Sequence, residues 1–246
     1  MQVEVVYVHH NSFILKLPER TFLFDYPALS HLPQDAPALV TREVAGKRLF
    51  VVFSHSHADH LNPEVGAVTA LAASVRYIVS DDVPDMCPEV LPEAPDEVLV
   101  VAPDDDVTFE GVHLRALESN DLGVAFILEV EGLRLYYGGD LANWDWESLP
   151  DKARAESRAF FAAALDTVAA GPVSIAFSNV DKRLKSLAGG PEVVRRLAPA
   201  LFVPMHTFGE TGWLATIENE LAVAGSRVFS YRRMGDRLRL DLPPVA

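Results

Sequence analysis

Four side chains of the kinds that bind metal ions lie within six residues of this sequence. They form an H-x-H-x-D-H motif made up of His55, His57, Asp59 and His60. Alternate side chains of an extended segment point the same way, so His55 and His57 can share one metal ion. Asp59 and His60 then turn towards a second position. Imidazole nitrogens and a carboxylate suit Zn²⁺, Mn²⁺ or Fe²⁺, so the motif predicts a metal site.

The residues around the motif predict that it occupies a loop between a strand and a helix. Residues 48–55 (RLFVVFSH) form a short, continuous apolar run, which is typical of a buried strand. The Ala-rich residues 63–73 follow Asn62, a suitable N-cap, and predict a helix. A solvated polar loop is the alternative interpretation, but it would not explain why the ligand-type residues cluster directly after an apolar strand.

Two predicted hairpins resemble each other in sequence. Residues 11–25 and 123–140 each contain a Phe-Ile-Leu strand, a turn and an aromatic-rich strand, and they end in Asp25 and Asp140. Two later strands, in VSIAFSNVD and ALFVPMH, are each followed by a polar residue. The second of them resembles LFVVFSH, the strand that precedes the motif. These similarities favour an internal duplication over coincidence between ordinary hairpins.

The remaining segments complete the predicted fold. Helices are expected at residues 151–170 and 190–197, a Pro-rich loop at 27–37, and mostly loop around short strands at 81–106. The pattern favours an α/β fold with two β-rich halves, about residues 1–106 and 107–246, in a single domain. Their sheets would stack on each other, with the helices outside.

The composition limits the class of function. A formal net charge of −14 opposes binding to the phosphate backbone of nucleic acids, although not to a small anionic substrate. We find neither the basic and apolar pattern of a signal peptide nor an apolar run of ~18 residues. The lone Cys87 suits a reducing compartment. We therefore expect a cytoplasmic protein with no nucleic-acid or membrane partner.

The motif resembles the signature of the metallo-β-lactamase fold superfamily. Three further features agree with that family in order along the chain: Asp25 in LFDY, Asp140 in YYGGD and His206 in VPMH. The resemblance runs from about Val3 to Arg239. HHNSFIL and VPMHTF are most similar to the branch of ascorbate-6-phosphate lactonase-like enzymes and related Zn-dependent hydrolases.

This resemblance implies a four-layer αβ/βα sandwich of two stacked mixed sheets, with a metal centre at one sheet edge. Asp140 would bridge two metal positions. Zn²⁺ is the first choice, as one or two ions, with Mn²⁺ or Fe²⁺ as alternatives. When bound, such a metal polarises a substrate oxygen and lowers the pKa of a water molecule. The implied ligands are His55, His57, Asp59, His60, Asp140 and His206.

One element departs from the family pattern. The family usually has a further metal-binding histidine before the second hairpin, but the corresponding residues 116–126 (ALESNDLGVAF) contain none. His113 is nearby, yet strand alternation predicts that it faces outward. Four neighbours could approach the site instead, of which the two carboxylates are competent ligands and serine is a poor one: Glu118, Ser119, Asn120 and Asp121. We therefore expect one tight metal ion, or two of unequal affinity, with His55 and His57 holding the weaker one.

Several other residues are candidates for roles around the metal. His10 would orient substrate or act as an acid, although a hydrogen-bonded structural histidine is an equal alternative. Asp59 and Asp140 would steer the proton of the attacking water. Asp25 would hold a metal-binding histidine by its free ring N–H, and Asp181 would support the metal ligands. The candidates for contact with substrate are Asn143, Trp144 with Trp146, and Arg183, whose planar fork suits a phosphate or carboxylate. The alternatives are that the tryptophans belong to the core and that Arg183 is a surface residue in a basic turn.

These observations favour a metal-dependent hydrolase that acts on an ester, lactone or phosphoester bond of a small, anionic molecule. The alternative is a catalytically weakened member of the same fold that binds a metal or small ligand, with the missing histidine as the sign of decay. A true β-lactamase, a nuclease and a redox enzyme are disfavoured. A homo-oligomer is compatible with the sequence.

Overall fold

Strand pairing divides the chain into two units, each with one seven-stranded mixed sheet. The computed structural model describes residues 1–222 and 225–244. The first unit comprises Met1–Ala102 and Tyr231–Leu242, and the second Pro103–Ser230 with residues 243–244. The predicted halves met at residues 106 and 107, whereas here a late segment of the chain returns to the first unit.

The first sheet has the order β14-β1-β2-β3-β4-β5-β6. Pairing is antiparallel from β14 to β3 and parallel from β3 to β6. Its strands are β1 (Gln2–His9), β2 (Ser12–Lys16), β3 (Thr21–Phe24), β4 (Arg48–Phe53), β5 (Ser74–Ser80), β6 (Val98–Val101) and β14 (Arg237–Asp241). The helices of this unit are α1 (Ala36–Val44), α2 (Val65–Thr69) and α3 (Val83–Met86), with 3₁₀ turns at Leu29–His31, Pro88–Val90 and Pro95–Glu97.

The second sheet has the order β13-β12-β11-β10-β9-β8-β7. Its strands are β7 (Asp106–Phe109), β8 (Val112–Glu118), β9 (Val124–Val130), β10 (Leu133–Tyr137), β11 (Ile175–Asn179), β12 (Leu201–Met205) and β13 (Arg227–Val228). The helices are α4 (Asp151–Val168), α5 (Gly190–Leu197) and α6 (Leu214–Leu221), with a 3₁₀ turn at Leu187–Gly189. The two mixed sheets with their helices confirm the predicted α/β class. Among the helices of the described residues, none combines the length and the apolar character that a membrane span needs.

The two sheets follow the same pairing pattern. Read from β7, the second sheet has antiparallel pairs as far as β10 and parallel pairs as far as β13. Strands β1 to β6 therefore correspond to β8 to β13, and β14 corresponds to β7. The predicted match between the two hairpins is confirmed, because β2–β3 corresponds to β9–β10. The predicted match between LFVVFSH and ALFVPMH is wrong: β4 corresponds to β11, and β12 corresponds to β5.

Local competition explains the other differences from the predicted elements. The predicted helix at residues 63–73 is reduced to α2, because the backbone N–H of Ala73 already bonds to Lys47 where β5 begins. Helix α1 begins at Ala36, inside the predicted loop, and places Pro37 in its first turn, where a missing N–H is harmless. Helix α6 and strand β14 were not predicted. The predicted helices at residues 151–170 and 190–197 are confirmed by α4 and α5.

A cluster of charged residues joins four elements of the first unit. Glu43 on α1 has a buried side chain that accepts hydrogen bonds from Lys16 Nζ (2.5 Å) on β2 and from Arg237 Nη2 (3.1 Å) on β14. Glu4 on β1 pairs with Lys16 (3.1 Å) and with Arg239. Burial alone raises the pKa of the Glu43 carboxyl, but the bonds from Lys16 and Arg237 outweigh it and lower the pKa to about 2.

We predict that Glu43 makes the stability of the protein sensitive to acid. Because its folded pKa lies below the ordinary value of 4.5, its contribution is present above pH 4.5 and is lost as the pH falls towards 2. Glu43→Gln should lower the free energy of unfolding by about 2 kcal/mol at pH 7, and by less at acidic pH. Urea denaturation at pH 7, 5 and 3.5 measures both effects.

The matched control is Glu156→Gln, because Glu156 is an exposed glutamate on α4 that pairs with Lys152 at 3.7 Å. That change should alter the free energy of unfolding by less than about 0.5 kcal/mol at every pH. An equal loss for Glu43→Gln at pH 7 and pH 3.5 would contradict the proposed linkage.

Candidate metal centre

The H-x-H-x-D-H motif folds into a tight turn that brings its histidines together. Strand β4 delivers His55 into the interior, and the backbone N–H of His60 then bonds to the carbonyl of His57 at 2.9 Å. The ring centroid of His55 lies 4.6 Å from that of His57 and 4.0 Å from that of His60. His55 and His60 are fully buried, whereas His57 is exposed.

Asp25 anchors this turn from the end of β3. Its buried carboxylate accepts hydrogen bonds from Ser54 N–H (2.8 Å), Ser54 Oγ (2.8 Å) and His60 Nδ1 (2.7 Å). Because Nδ1 of His60 carries the proton in that bond, Nε2 carries the lone pair that a metal ion needs. The sequence predicted that Asp25 would hold a histidine of the motif, and the structure contains this contact.

Ser54 fixes the position of the ring proton of His55 in the same way. The hydroxyl of Ser54 donates its proton to Asp25, so it accepts the Nδ1 proton of His55, which lies 3.0 Å away. Nε2 of His55 is then also the nitrogen with the lone pair. The sequence analysis missed this role of Ser54, since a serine beside histidines offers no signal without the contact to Asp25.

A second carboxylate fixes the middle of the motif. Asp82, just after β5, accepts the backbone N–H of Ser56 at 2.8 Å and the hydroxyl of Ser80. The sequence analysis did not single out Asp82. The available signal was its position, since it follows a buried strand as the motif itself does.

His10 lies close to Asp59 and His60. It follows β1, is 2% exposed, and its Nε2 lies 3.5 Å from Oδ2 of Asp59. Its ring centroid is 5.3 Å from that of His60. One potential ligand atom from each of these residues lies within 4.8 Å of the other two. The structure therefore brings His10, Asp59 and His60 together.

The second unit holds the other predicted ligands at the ends of its strands. Asp140 follows β10 and His206 follows β12, and both are buried. Nε2 of His206 lies 3.9 Å from Oδ2 of Asp140, and its Nδ1 lies 3.3 Å from Oδ2 of Asp181. The second unit thus repeats the arrangement of the first, with a carboxylate beside the ring nitrogen of a histidine.

The guanidinium of Arg183 forms hydrogen bonds with the carboxylate of Asp181. Its Nε lies 2.9 Å and 3.0 Å from the two carboxylate oxygens, and its Nη2 lies 2.5 Å from Oδ2. Burial raises the pKa of the Asp181 carboxyl, but the contacts with His206 and Arg183 outweigh it, so the pKa is lowered. The guanidinium also lies 5.0 Å from the ring centroids of both Trp146 and Phe208.

The second unit contains a cavity of about 340 Å³ next to Arg183. Trp144 donates its indole N–H to the carbonyl of Asp140 at 3.0 Å, and its ring lies 5.0 Å from that of His206. Asn143 is not in the cavity lining; it is buried, and its backbone N–H bonds to Ala188 at 3.0 Å. The full lining is Asp121, Asp140, Trp144, Trp146, Arg183, His206 and Phe208, of which Phe208 was missed by the sequence analysis.

The segment that lacks the family histidine places one carboxylate in this cavity. Asp121 lines it together with Asp140 and His206. The side-chain amide of Asn120 instead bonds to the backbone of Ala142: its Nδ2 donates to the carbonyl at 2.8 Å, and its Oδ1 accepts from the N–H at 3.1 Å. The prediction that His113 faces outward is confirmed: its side chain is 45% exposed.

The donors present in these loops fit a transition-metal ion. The tautomers fixed at His55 and His60 present Nε2 lone pairs, and the neighbouring oxygen donors are carboxylates. Imidazole and carboxylate together suit Zn²⁺, Mn²⁺ and Fe²⁺, and the mixture does not select one of them.

We predict that Asp25→Asn weakens metal binding. Loss of the carboxylate removes the acceptor that orients His60 and, through Ser54, His55. Zn²⁺ affinity, measured by competition with a chromophoric chelator, should fall about 10- to 100-fold. Asp151→Asn, at an exposed position on α4, is the control and should leave the affinity unchanged. Equal Zn²⁺ affinity in a folded Asp25→Asn variant would contradict the role of Asp25.

Comparison with solved structures shows a shared fold. The chain is similar to Igni18, a novel metallo hydrolase from the hyperthermophilic archaeon Ignicoccus hospitalis, with 14% identity, a TM-score of 0.68 and coverage of 99% of this chain and 100% of that one. It is also similar to a new diphosphatase from the PhnP family (14% identity, TM-score 0.55, coverage 95% and 85%).

A third similar structure is the diiron β-hydroxylase CmlA from Streptomyces venezuelae, with 14% identity and a TM-score of 0.61; the match covers 98% of this chain and 54% of that one. Among curated proteins, none matches the sequence. The family model of the beta-lactamase superfamily domain matches residues 20–207, a span that includes the whole motif, Asp25, Asp140 and His206. Since that span is most of the chain, this protein belongs to the beta-lactamase superfamily domain family.

Proposed function

We propose that this protein is a metal-dependent hydrolase that cleaves an ester, lactone or phosphoester bond in a small anionic molecule. The observation that carries the proposal is the buried network in which Asp25 and Ser54 orient His60 and His55. Such a network has a clear purpose in a metal site, because it fixes which nitrogen of each ring is available. The similarity to structures named as a metallo hydrolase and a diphosphatase supports the same reaction class.

The proposed metal ligands are those that the motif and its family resemblance predict, with Zn²⁺ as the first choice. A bound metal supplies Lewis acidity that polarises a substrate oxygen and favours ionisation of water. The residues of the chain supply the rest: Asp59 and Asp140 would steer the proton of the attacking water. The proposed ligand set is His55, His57, Asp59, His60, Asp140 and His206.

The cavity in the second unit supports a small substrate with an anionic group. Its volume of about 340 Å³ is in the range of small-molecule sites. Arg183 provides positive charge at its wall, while Trp144, Trp146 and Phe208 provide aromatic surface for an apolar part of the substrate. We place substrate contacts at Trp144 and Arg183, and we assign Asn143 a secondary place because it does not line the cavity.

The cellular setting remains the one that the sequence suggests. We propose a cytoplasmic enzyme that acts on small molecules, without a nucleic-acid or membrane partner. The net charge of −14 supports the proposal that it does not bind nucleic acid. Similarity to lactonase-like enzymes in HHNSFIL and VPMHTF supports a lactone or phosphoester among the candidate bonds. A homo-oligomer is compatible with this function.

Metal content and turnover test the proposal together. The purified protein should contain a transition metal by elemental analysis and should hydrolyse a chromogenic phosphodiester or lactone. His60→Ala removes a buried ligand whose orientation the structure fixes, so it should lower both metal content and, by about 100-fold or more, kcat/KM. His113→Ala is the matched control, because that histidine is exposed and should leave both quantities unchanged.

Two results would count against the proposal. A protein that holds no transition metal, and gains no turnover with Zn²⁺ or Mn²⁺, is not a metal-dependent hydrolase. A protein that holds the metal tightly but turns over neither substrate class supports the alternative, a metal- or ligand-binding member of the family. The absence of histidine from residues 116–126 is the observation that favours this second candidate.

We predict that Arg183 contributes to the preference for anionic substrates. Arg183→Gln should raise KM about 10-fold for an anionic phosphodiester and by much less for a neutral lactone, because a charge-assisted contact is lost only with the anion. The ratio of the two KM values is the measurement. Lys185→Gln, at a position with an 88% exposed side chain, is the control. An equal rise for both substrates would show that Arg183 acts only by holding Asp181.

A further inference from the structure

We propose that His10 is a metal ligand, which joins Asp59 and His60 in holding one ion. This inference deepens the proposed function and rests on its metal requirement. It assigns to His10 a different task from orienting substrate or donating a proton. All of the residues that carry it belong to the first unit.

The separation of His10 and Asp59 matches two ligands that share an ion, and His60 is close enough to join them. Metal–nitrogen and metal–oxygen bonds of about 2.0 to 2.2 Å at tetrahedral angles place neighbouring ligand atoms about 3.4 Å apart. Nε2 of His10 lies 3.5 Å from Oδ2 of Asp59. A ligand atom of His60 completes the group, with all three atoms within 4.8 Å of one another.

A direct hydrogen bond between His10 and Asp59 fits the geometry less well. Charge-assisted N–H···O bonds have lengths of about 2.7 to 2.9 Å. In the same unit, the histidine–carboxylate bond between His60 and Asp25 has a length of 2.7 Å. The separation of 3.5 Å between His10 and Asp59 is longer than a hydrogen bond and suits two atoms that face a common ion.

His10 lies in the turn between β1 and β2, where packing holds its backbone in place. His10 has φ of 52°, a left-handed conformation that is strained for a non-glycine residue. It follows the point where the pairing of β1 with β2 shifts register. Its N–H lies 3.3 Å from the hydroxyl of Tyr7, whose ring stacks on Tyr231 at 3.8 Å. A strained residue held by such packing is typical of a functional position.

His10 strengthens the metal position at Asp59 and His60, which the sequence already predicts to be the tighter of the two. Asp25 holds Nδ1 of His60, so Nε2 of that ring is the ligand atom. With His10 added, the first unit alone supplies three ligands to the ion at Asp59 and His60. Catalytic zinc sites commonly have three protein ligands and keep another position open for water or substrate.

Metal binding to two His10 variants tests the inference. His10→Asn suits the left-handed backbone, since asparagine tolerates positive φ, and His10→Gly removes the strain and leaves room for added imidazole. In each variant the affinity for the tight Zn²⁺ ion should fall about 100-fold or more, beyond the loss expected for a residue that only supports a ligand. The absorption bands of bound Co²⁺ should shift, and imidazole should restore them in His10→Gly.

His9→Asn is the matched control, because His9 is the neighbouring, half-buried histidine and does not belong to the cluster. It should leave Zn²⁺ affinity and the Co²⁺ spectrum unchanged. If folded His10→Asn and His10→Gly lose turnover but bind Zn²⁺ and Co²⁺ as the parent does, His10 acts on substrate and the inference is overturned, while the hydrolase proposal stands. If the parent itself binds neither ion, both proposals fail.

Discussion

The first unit depends on one buried carboxylate. The Asp25 carboxylate accepts hydrogen bonds from the amide and hydroxyl of Ser54 and from Nδ1 of His60, so a single charge joins the end of β3 to the turn that follows β4. A buried carboxylate is costly unless it is hydrogen-bonded, and here the donors are His60 of the motif and Ser54, the residue just before the motif. Stability of the loop and orientation of the histidines therefore have a common origin.

The shared pairing pattern of the two sheets explains why the candidate residues lie where they do. Asp25 follows β3 and Asp140 follows the corresponding strand β10, while His55 and Asp181 follow the corresponding strands β4 and β11. The carboxyl ends of parallel strands lie at the same edge of a sheet, so polar residues that follow such strands lie near one another. Similar carboxylates therefore follow corresponding strands in both units, where they contact different partners.

Much of this arrangement could be predicted from the sequence because it is local. The motif, both hairpins and helix α4 follow from residue spacing within short segments. The helix predicted at residues 63–73 was too long because its alanines favour helix, whereas the backbone N–H of Ala73 bonds to Lys47. Helix α1 was not predicted because its segment contains prolines, although a proline is tolerated in the first turn of a helix. The hydrogen-bonded pair of Arg183 and Asp181 could not be predicted, since the conformation of the loop decides whether the arginine contacts a neighbouring residue or a ligand.

Strand β14 gives the first unit an unusual order of assembly. It pairs along β1, so residues more than two hundred positions apart become neighbours. During synthesis, the strand that carries His10 towards the motif emerges early and has no partner on its β14 side until nearly all of the described chain has been made. Glu43 and Glu4 also lack Arg237 and Arg239 until that moment. Non-local pairing of this kind slows folding, so the sheet of the first unit is expected to be completed late.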